Sequence, residues 1–308
     1  MRKMRIAAVS DLHIRPTGED RPLVDAIRAR VQDIDPDVFI IAGDISDRLS
    51  VLSDTLSSLR LTGATCLYVA GNHDIWFEKD SGLGSLEKYS KAIGAACQQN
   101  GFVHLPDGAW IHDDLAFVGS IGWSDYSFRR AELGIPLTCY EAKEYRGATW
   151  YDVFNVDWEF TDVEATDLFN RKLQYDLSTL GPTVKRIVYV SHHLPFRELT
   201  LYKNRLPWDF FSAFMGAQST GEIVAADGRV VLSISGHSHV RNVIDQGQIK
   251  AITVPLGYGR PLDAQYDRLA HDAVAHIELL PDRTELVDFR TGDICDGLPY
   301  YSVDQMEP

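Results

Sequence analysis

The chain has 308 residues, 45% of them hydrophobic and 24% charged, which is ordinary for a globular protein and enough for a sizeable core. A formal net charge of −14 removes long-range attraction to nucleic acid or to an anionic membrane. No apolar run is long enough to span a bilayer, and Cys66, Cys97, Cys139 and Cys295 are scattered without a C-x-x-C pair, so neither a zinc ribbon nor a disulfide framework is expected.

The opening MRKMRIAAVSDLH is basic, but its apolar stretch is too short for a secretory signal. It reads instead as a first strand over Arg5–Ser10, and a cytoplasmic location with reduced thiols follows as the expectation. Leu23, Val24, Ile27, Val31 and Ile34 recur at helical spacing, and Pro36-Asp37 ends that pattern. Asp37–Asp44 (DVFIIAGD) is a buried-strand run, Ser50–Leu61 a second helix, Thr65–Ala70 a third strand and Ser85–Gln99 a further helix. Strands alternating with helices predict a parallel sheet buried on both faces. After Asn100 the texture changes to short runs, Val103–Leu105, Ala109–His112 and Ala116–Ile121, separated by turn residues that suit antiparallel strands.

Trp123–Phe160 is rich in aromatics and charges with weak periodicity, and reads as an inserted cap or long loop. Thr161–Leu180 is helical, with Thr161 or Asp162 as N-cap and Gly181-Pro182 as the stop. Arg186–Val190 is again a buried strand, Asn204–Met215 an aromatic-rich crossover and Val230–Ser235 another strand. Beyond Asn242 the strand candidates are Lys250–Val254, Ala275–Leu280 and Glu285–Phe289, followed by a polar tail. No internal repeat or low-complexity linker divides residues 1–308, which read as one domain.

The strand ends carry the chemistry. They read Asp11-Leu12-His13, Gly43-Asp44, Gly71-Asn72-His73-Asp74, His192-His193 and Gly236-His237-Ser238-His239, and they hold six of the ten histidines. Taken singly, each piece reads as turn chemistry: Asp caps turns, Gly-Asn-His-Asp is a good turn, and a histidine beside an apolar run is usually a satisfied core residue. Taken together they do not, because ligands of open α/β sheets bind outside the carboxyl ends of the strands. Carboxylate, imidazole and carboxamide on one rim suit divalent transition metals. Residues i and i+2 on extended backbone face one side, so His237 and His239 can address one small volume.

This ordered set, D-x-H, G-D-x-x-D, G-N-H-D, H and G-H-x-H, resembles the calcineurin-like metallophosphoesterase superfamily over Asp11 to His239. The resemblance implies an α/β fold, a four-layer α/β/β/α sandwich of two mixed sheets flanked by helices, with a two-metal site between the sheet edges. Carried over, Asp11, His13 and His239 would hold one metal, Asn72, His192 and His237 the other, and Asp44 would bridge both. His73 would contact the scissile phosphate group and protonate the leaving oxygen, and Asp74 would steady His73. His193 competes with His192 for the strand-end ligand, since one residue of shift reverses side-chain facing. Asp47-Arg48 is similar to the protein serine/threonine phosphatase branch, but that branch has an arginine just before its Gly-Asn-His, where this chain has Ala70.

The chemistry explains the residue types. Two metals about 3.5–4 Å apart bind phosphate oxygens, present a bridging hydroxide in line and offset charge on the leaving oxygen. Asp44 has two oxygens to share between them, Asn72 adds a donor without charge, and an imidazole such as His73 gives up a proton near neutral pH. The metals expected are manganese, iron, zinc, nickel or cobalt. The expected substrate is a small phosphodiester or phosphomonoester. Arg197, Tyr151 and Trp208 are candidate contacts, within an aromatic and arginine lining that could take a nucleotide-like molecule; the same aromatics could equally be the insertion's own small core. A nuclease of the same superfamily and a non-catalytic scaffold that kept the fold are the alternatives. The first lacks a visible basic groove, and the second should have lost ligands that are all present here.

Overall fold

The computed structural model describes residues 3–257, 259–261, 265–293 and 300–302; Cys295 lies outside them. In the first half, β1 (Met4–Val9), β2 (Val38–Ala42), β3 (Thr65–Val69) and β4 (Phe102–His104) run parallel in one sheet. The hairpin of β5 (Trp110–His112) and β6 (Leu115–Ser120) opens a second sheet. A small hairpin, β7 (Glu144–Tyr145) and β8 (Ala148–Thr149), stands apart within 123–160. The second sheet is completed by β9 (Arg186–Ser191) and β10 (Val230–Ser235), then by β11 (Val243–Gln246) and β12 (Ile249–Thr253). After β13 (Gly259–Pro261), β14 (Ala275–Leu279) and β15 (Thr284–Val287) return antiparallel to the first sheet, and β16 (Tyr300–Ser302) pairs with β13.

The two six-stranded sheets have the orders β15-β14-β1-β2-β3-β4 and β11-β12-β10-β9-β6-β5. They pack face to face. Along β2, Val38, Ile40 and Ala42 turn toward the other sheet, while Phe39 and Ile41 turn toward helices, the two-residue alternation of a strand buried on both sides. Val188, Val190, Leu232 and Ile234 meet them from the second sheet, all fully buried. Each such side chain contributes about 1.5–3 kcal/mol.

The outer layers are helical. Arg21–Ile34 and Leu49–Leu59 cover the first sheet, and so do the consecutive helical turns Ser85–Glu87, Lys88–Ala92 (π-helical) and Ile93–Gln99. Asp162–Thr179 and Gln218–Ala226 cover the second. Arg21–Ile34 begins with Pro22 in its first turn, where proline costs no hydrogen bond, and ends at Asp35 in the left-handed conformation just before Pro36. Asp162–Thr179 is capped by Thr161, whose hydroxyl accepts from the Glu164 amide while the Glu164 carboxylate accepts from the Thr161 amide.

The two mixed sheets and their flanking helices match the expected sandwich. Among the described residues, no helix is long and apolar enough to cross a membrane. The helix Gln218–Ala226, β11 and the helix Tyr266–Ala273 stand where residue patterning marked no element. The segment 123–160 carries the short helices Leu137–Glu141 and Asp152–Asn155 besides its hairpin. Its Tyr126, Tyr140, Tyr145 and Trp150 pack with Phe210, Phe211 and Phe214 of the later crossover in a small core of their own, while Trp123 and Trp158 join the core against the first sheet.

Candidate metal centre

The loops leaving β1, β2, β3, β9 and β10 meet at one rim. Main-chain bonds knit them before any side chain is considered: Asp11 N donates to Gly43 O (3.0 Å), His13 N to Asp44 O (3.0 Å) and Gly236 N to His192 O (3.0 Å). Ser10 joins the sheets, its amide donating to Val254 O and its carbonyl accepting from Leu256 N, both at 2.9 Å. Asp11, His13, Asp44, His237 and His239 all have left-handed backbone, with φ of 57°, 44°, 56°, 66° and 52°. Non-glycine residues pay on the order of 1 kcal/mol or more each for that conformation, and such residues cluster at functional sites. The fit around them is tight: a Cβ on Gly236 would lie 2.6 Å from Asp11 Oδ2.

Two donor groups result. Asp11, His13, Asp44 and His239 form one, Asp44, His192 and His237 the other, and the atoms of each group lie within 4.8 Å of one another. Within the first, His13 Nε2 stands 3.1 Å from His239 Nε2 and 3.7 Å from Asp44 Oδ2, while His239 Nε2 stands 3.3 Å from Asp11 Oδ1. Within the second, His192 Nε2 lies 3.2 Å from each of Asp44 Oδ2, Asn72 Oδ1 and His237 Nδ1. Asp44 belongs to both.

Tautomers show what such a set suits. His192 Nδ1 is 2.9 Å from the Ala42 carbonyl and His237 Nε2 is 3.2 Å from the Phe214 carbonyl. A carbonyl only accepts, so each of these nitrogens carries a proton. Without a cation, burial opposes charge on His192, but the Asp44 and Asp11 carboxylates outweigh it, push His192 up to about 9 and hold a second proton on it. In the neutral rings that a metal requires, the other nitrogen offers a lone pair. The two lone pairs then face one another and the oxygens of Asp44 and Asn72. Lone pairs pointed together inside a protein repel unless a cation lies among them, and a histidine anchored through its far nitrogen is how metal ligands are oriented. The donor set therefore fits a transition metal. Burial pushes the Asp11 carboxyl up to about 7, with Asp44 adding to the rise against the pull of His192. For Asp44 burial also pushes upward, but His192 and His73 outweigh it and hold that carboxyl well below its usual range.

Other expected residues fall differently. His193 turns away from the donor groups: its Nδ1 lies 3.2 Å from the Ile121 carbonyl and its ring packs on His237 at 4.1 Å, so His192 alone of the pair aims inward. His73 stands at the edge of the His13 ring, centroids 4.6 Å apart, and stacks on Trp76 at 3.8 Å. Among the described residues, the hydrogen bonds of Asp74 go elsewhere than to the His73 ring. The buried Asp74 carboxylate accepts from the amides of Asp44 (2.7 Å), Ile45 (2.8 Å), Ser46 (3.0 Å) and Gly71 (2.7 Å) and from Tyr68 Oη (2.6 Å). A single acidic side chain satisfies a whole turn of amides there, so Asp74 shapes the Asp44 loop rather than the imidazole. One contributor had no sequence signal: Asp152, in the insertion, accepts from Asn72 Nδ2 (3.0 Å), Trp76 Nε1 (2.7 Å) and Trp150 Nε1 (2.8 Å).

The donor groups open into a cleft of about 840 Å³ walled by Trp76, Trp150, Tyr151, Arg205, Trp208 and Phe211, among others. Tyr151 and Trp208 lie on the wall of this cleft. Arg197 does not: its guanidinium donates to Tyr202 Oη (3.0 Å) and the Arg129 carbonyl (3.3 Å). Arg205, eight residues on, takes the wall position, because the crossover turns between them.

A sandwich of two mixed sheets with such a donor set at its seam is the architecture of a metallophosphoesterase. The chain belongs to the calcineurin-like phosphoesterase family, whose model matches residues 4–241. Among solved structures it is similar to a phosphopantetheinyl hydrolase from Mycobacterium tuberculosis, at 21% identity and a TM-score of 0.64, covering 92% of this chain and 95% of that one. A dimetal phosphatase from Danio rerio is similar at 13% identity and a TM-score of 0.54, covering 94% and 96%. At these identities the likeness is one of fold. No curated protein matches the sequence.

Proposed function

We propose that this chain is a dinuclear metal-dependent phosphohydrolase acting on a small, nucleotide-like phosphate ester, with residues 1–308 forming one catalytic unit capped by 123–160. The observation that carries the reading is the pair of donor groups sharing Asp44, with His73 beside them at the cleft. Asp11, His13, Asp44 and His239 would hold one cation, and Asp44, Asn72, His192 and His237 the other. When bound, the pair supplies charge neutralisation for the phosphate oxygens and a water acidic enough to attack at neutral pH.

The chain's own residues do the rest. Asp44 keeps the two positions at a fixed separation by standing in both groups. Asn72 contributes an oxygen without adding charge, which limits repulsion of an anionic substrate. His73, fixed by its stack on Trp76, holds the proton that passes to the departing oxygen. Arg205 and the ring of Trp208 stand where a second anionic group and a flat or extended leaving group would rest. Asp47 and Asp293 also line the cleft, which with the net charge of −14 disfavours a nucleic-acid polymer.

The test is chelator-stripped protein reloaded with manganese and presented with bis-p-nitrophenyl phosphate, p-nitrophenyl phosphate, cyclic nucleotides and a phosphopantetheinyl diester, the last suggested by the name of the mycobacterial neighbour. Metal-dependent turnover that is lost on chelation is expected. A chain that binds two equivalents of metal and hydrolyses none of them would be a scaffold, and one that binds no metal would end the reading altogether.

A further inference from the structure

The segment 123–160 reaches the metal centre through Trp150, whose ring meets the His237 ring edge-on at 5.6 Å, and through the carboxylate of Asp152. Asp152 opens the short helix Asp152–Asn155 and is 3% exposed, yet it forms no ion pair with Lys or Arg among the described residues. Its carboxylate is occupied by three neutral donors: Asn72 Nδ2, Trp76 Nε1 and Trp150 Nε1. A carboxylate buried among neutral donors, with the His73 imidazole near enough to offset only part of its charge, is costly to keep there.

We infer that Asp152 is a positioning residue that fixes which end of the Asn72 amide faces the second donor group. The two ends of an asparagine amide have nearly the same shape, and only the oxygen can serve a cation. Asp152 accepts hydrogen bonds and cannot donate them, so it selects the NH2 end for itself and leaves the oxygen 3.2 Å from His192 Nε2. Without that acceptor the amide is free to turn over and present NH2 to the ligand set. The same carboxylate holds the Trp76 indole on which His73 stacks. The cap and the centre are thereby joined through an amide and an indole. The inference rests on the metal-centre reading above.

Calorimetric titration of the stripped 308-residue chain with manganese tests it, with thermal melting as the check on folding. Wild type should bind two ions. Asp152→Ala should keep one site near wild-type affinity and weaken the other about 10- to 100-fold, the usual loss when the partner of a ligand is removed. Asp152→Asn keeps an acceptor oxygen within reach of Asn72 and should stay much closer to wild type. The decisive comparison is Asp152→Ala in the Asn72→Asp background against Asn72→Asp alone. A carboxylate presents an oxygen whichever way it turns, so the second-site loss caused by Asp152→Ala should be rescued there, whatever the added charge does to both proteins. A merely structural role for Asp152 predicts the same loss in either background. Should Asp152→Ala not fold, Asp152→Glu displaces the acceptor by one methylene and is held to the same criteria. Unchanged affinity at both sites, equal weakening of both, or no rescue in the double variant overturns the inference while leaving the metal centre standing. A wild-type chain that binds no manganese overturns both.

Discussion

Replacing Gly71 by alanine tests the shared position of Asp44 without removing any donor atom. A Cβ built on Gly71 lies 2.1 Å from Asp44 Oδ1 and 2.6 Å from the Asp44 amide nitrogen. Ordinary contact begins near 3.5 Å, so the carboxylate must retreat by about 1.4 Å, or the two loops must part by a similar amount. Overpacking of this kind costs about 1–3 kcal/mol of stability. The larger effect falls on turnover. A displacement of about 1 Å in a reacting constellation costs on the order of 100-fold, equivalent to about 2.7 kcal/mol of barrier, and Asp44 stands in both donor groups. The assay is manganese-dependent hydrolysis by Gly71→Ala of the best ester found in the screen, with bound metal and urea denaturation measured on the same sample. Gly228→Ala is the control, since nothing lies within 4 Å of a Cβ at that position. A Gly71→Ala protein with two bound ions and turnover within about threefold of wild type would refute the argument.

Two further outcomes follow from the site. His73→Ala should bind manganese as wild type does and lose about 10²- to 10⁴-fold in kcat, the usual contribution of a positioned proton donor; an unchanged kcat would remove His73 from that role. Arg205→Ala should raise KM about tenfold, roughly 1.4 kcal/mol of binding, with little change in kcat, whereas Arg197→Ala should leave both constants alone. Steady-state kinetics with a diester substrate decides between them, and the reverse pattern would restore Arg197 to the cleft.

The strand ends were legible because their chemistry is local. Asp11, Asp44, Asn72, His192, His237 and His239 each follow an apolar run, and the carboxyl edge of parallel strands brings such residues together without further information. His192 is preferred to His193 because it extends the strand directly, and the two rings point to different partners, Asn72 Oδ1 and the Ile121 carbonyl. Adjacency of Asp74 to His73 in sequence says nothing of direction; tight turns send consecutive side chains apart, and the Asp74 carboxylate accepts from the amides of the Asp44 loop. Arg197 and Arg205 could not be told apart, since the irregular crossover has no period from which facing can be read. Asp152 was beyond reach for the same reason. Its partners Asn72 and Trp76 are about eighty residues away, and nothing in Trp150-Tyr151-Asp152 marks the middle carboxylate of that contact.

The placement of the donors across both sheets has a mechanical side. Asp11, His13, Asp44 and Asn72 come from the first sheet, and His192, His237 and His239 from the second. Cations seated there would act as rivets between the two halves of the sandwich, and neither half on its own could inherit the site. Binding that requires both halves favours the assembled state by mass action, about 2.7 kcal/mol when free metal is 100-fold above its Kd. The ions that equip the chain for hydrolysis would thus also hold its layers against shear, and starving it of metal should loosen the protein as well as silence it.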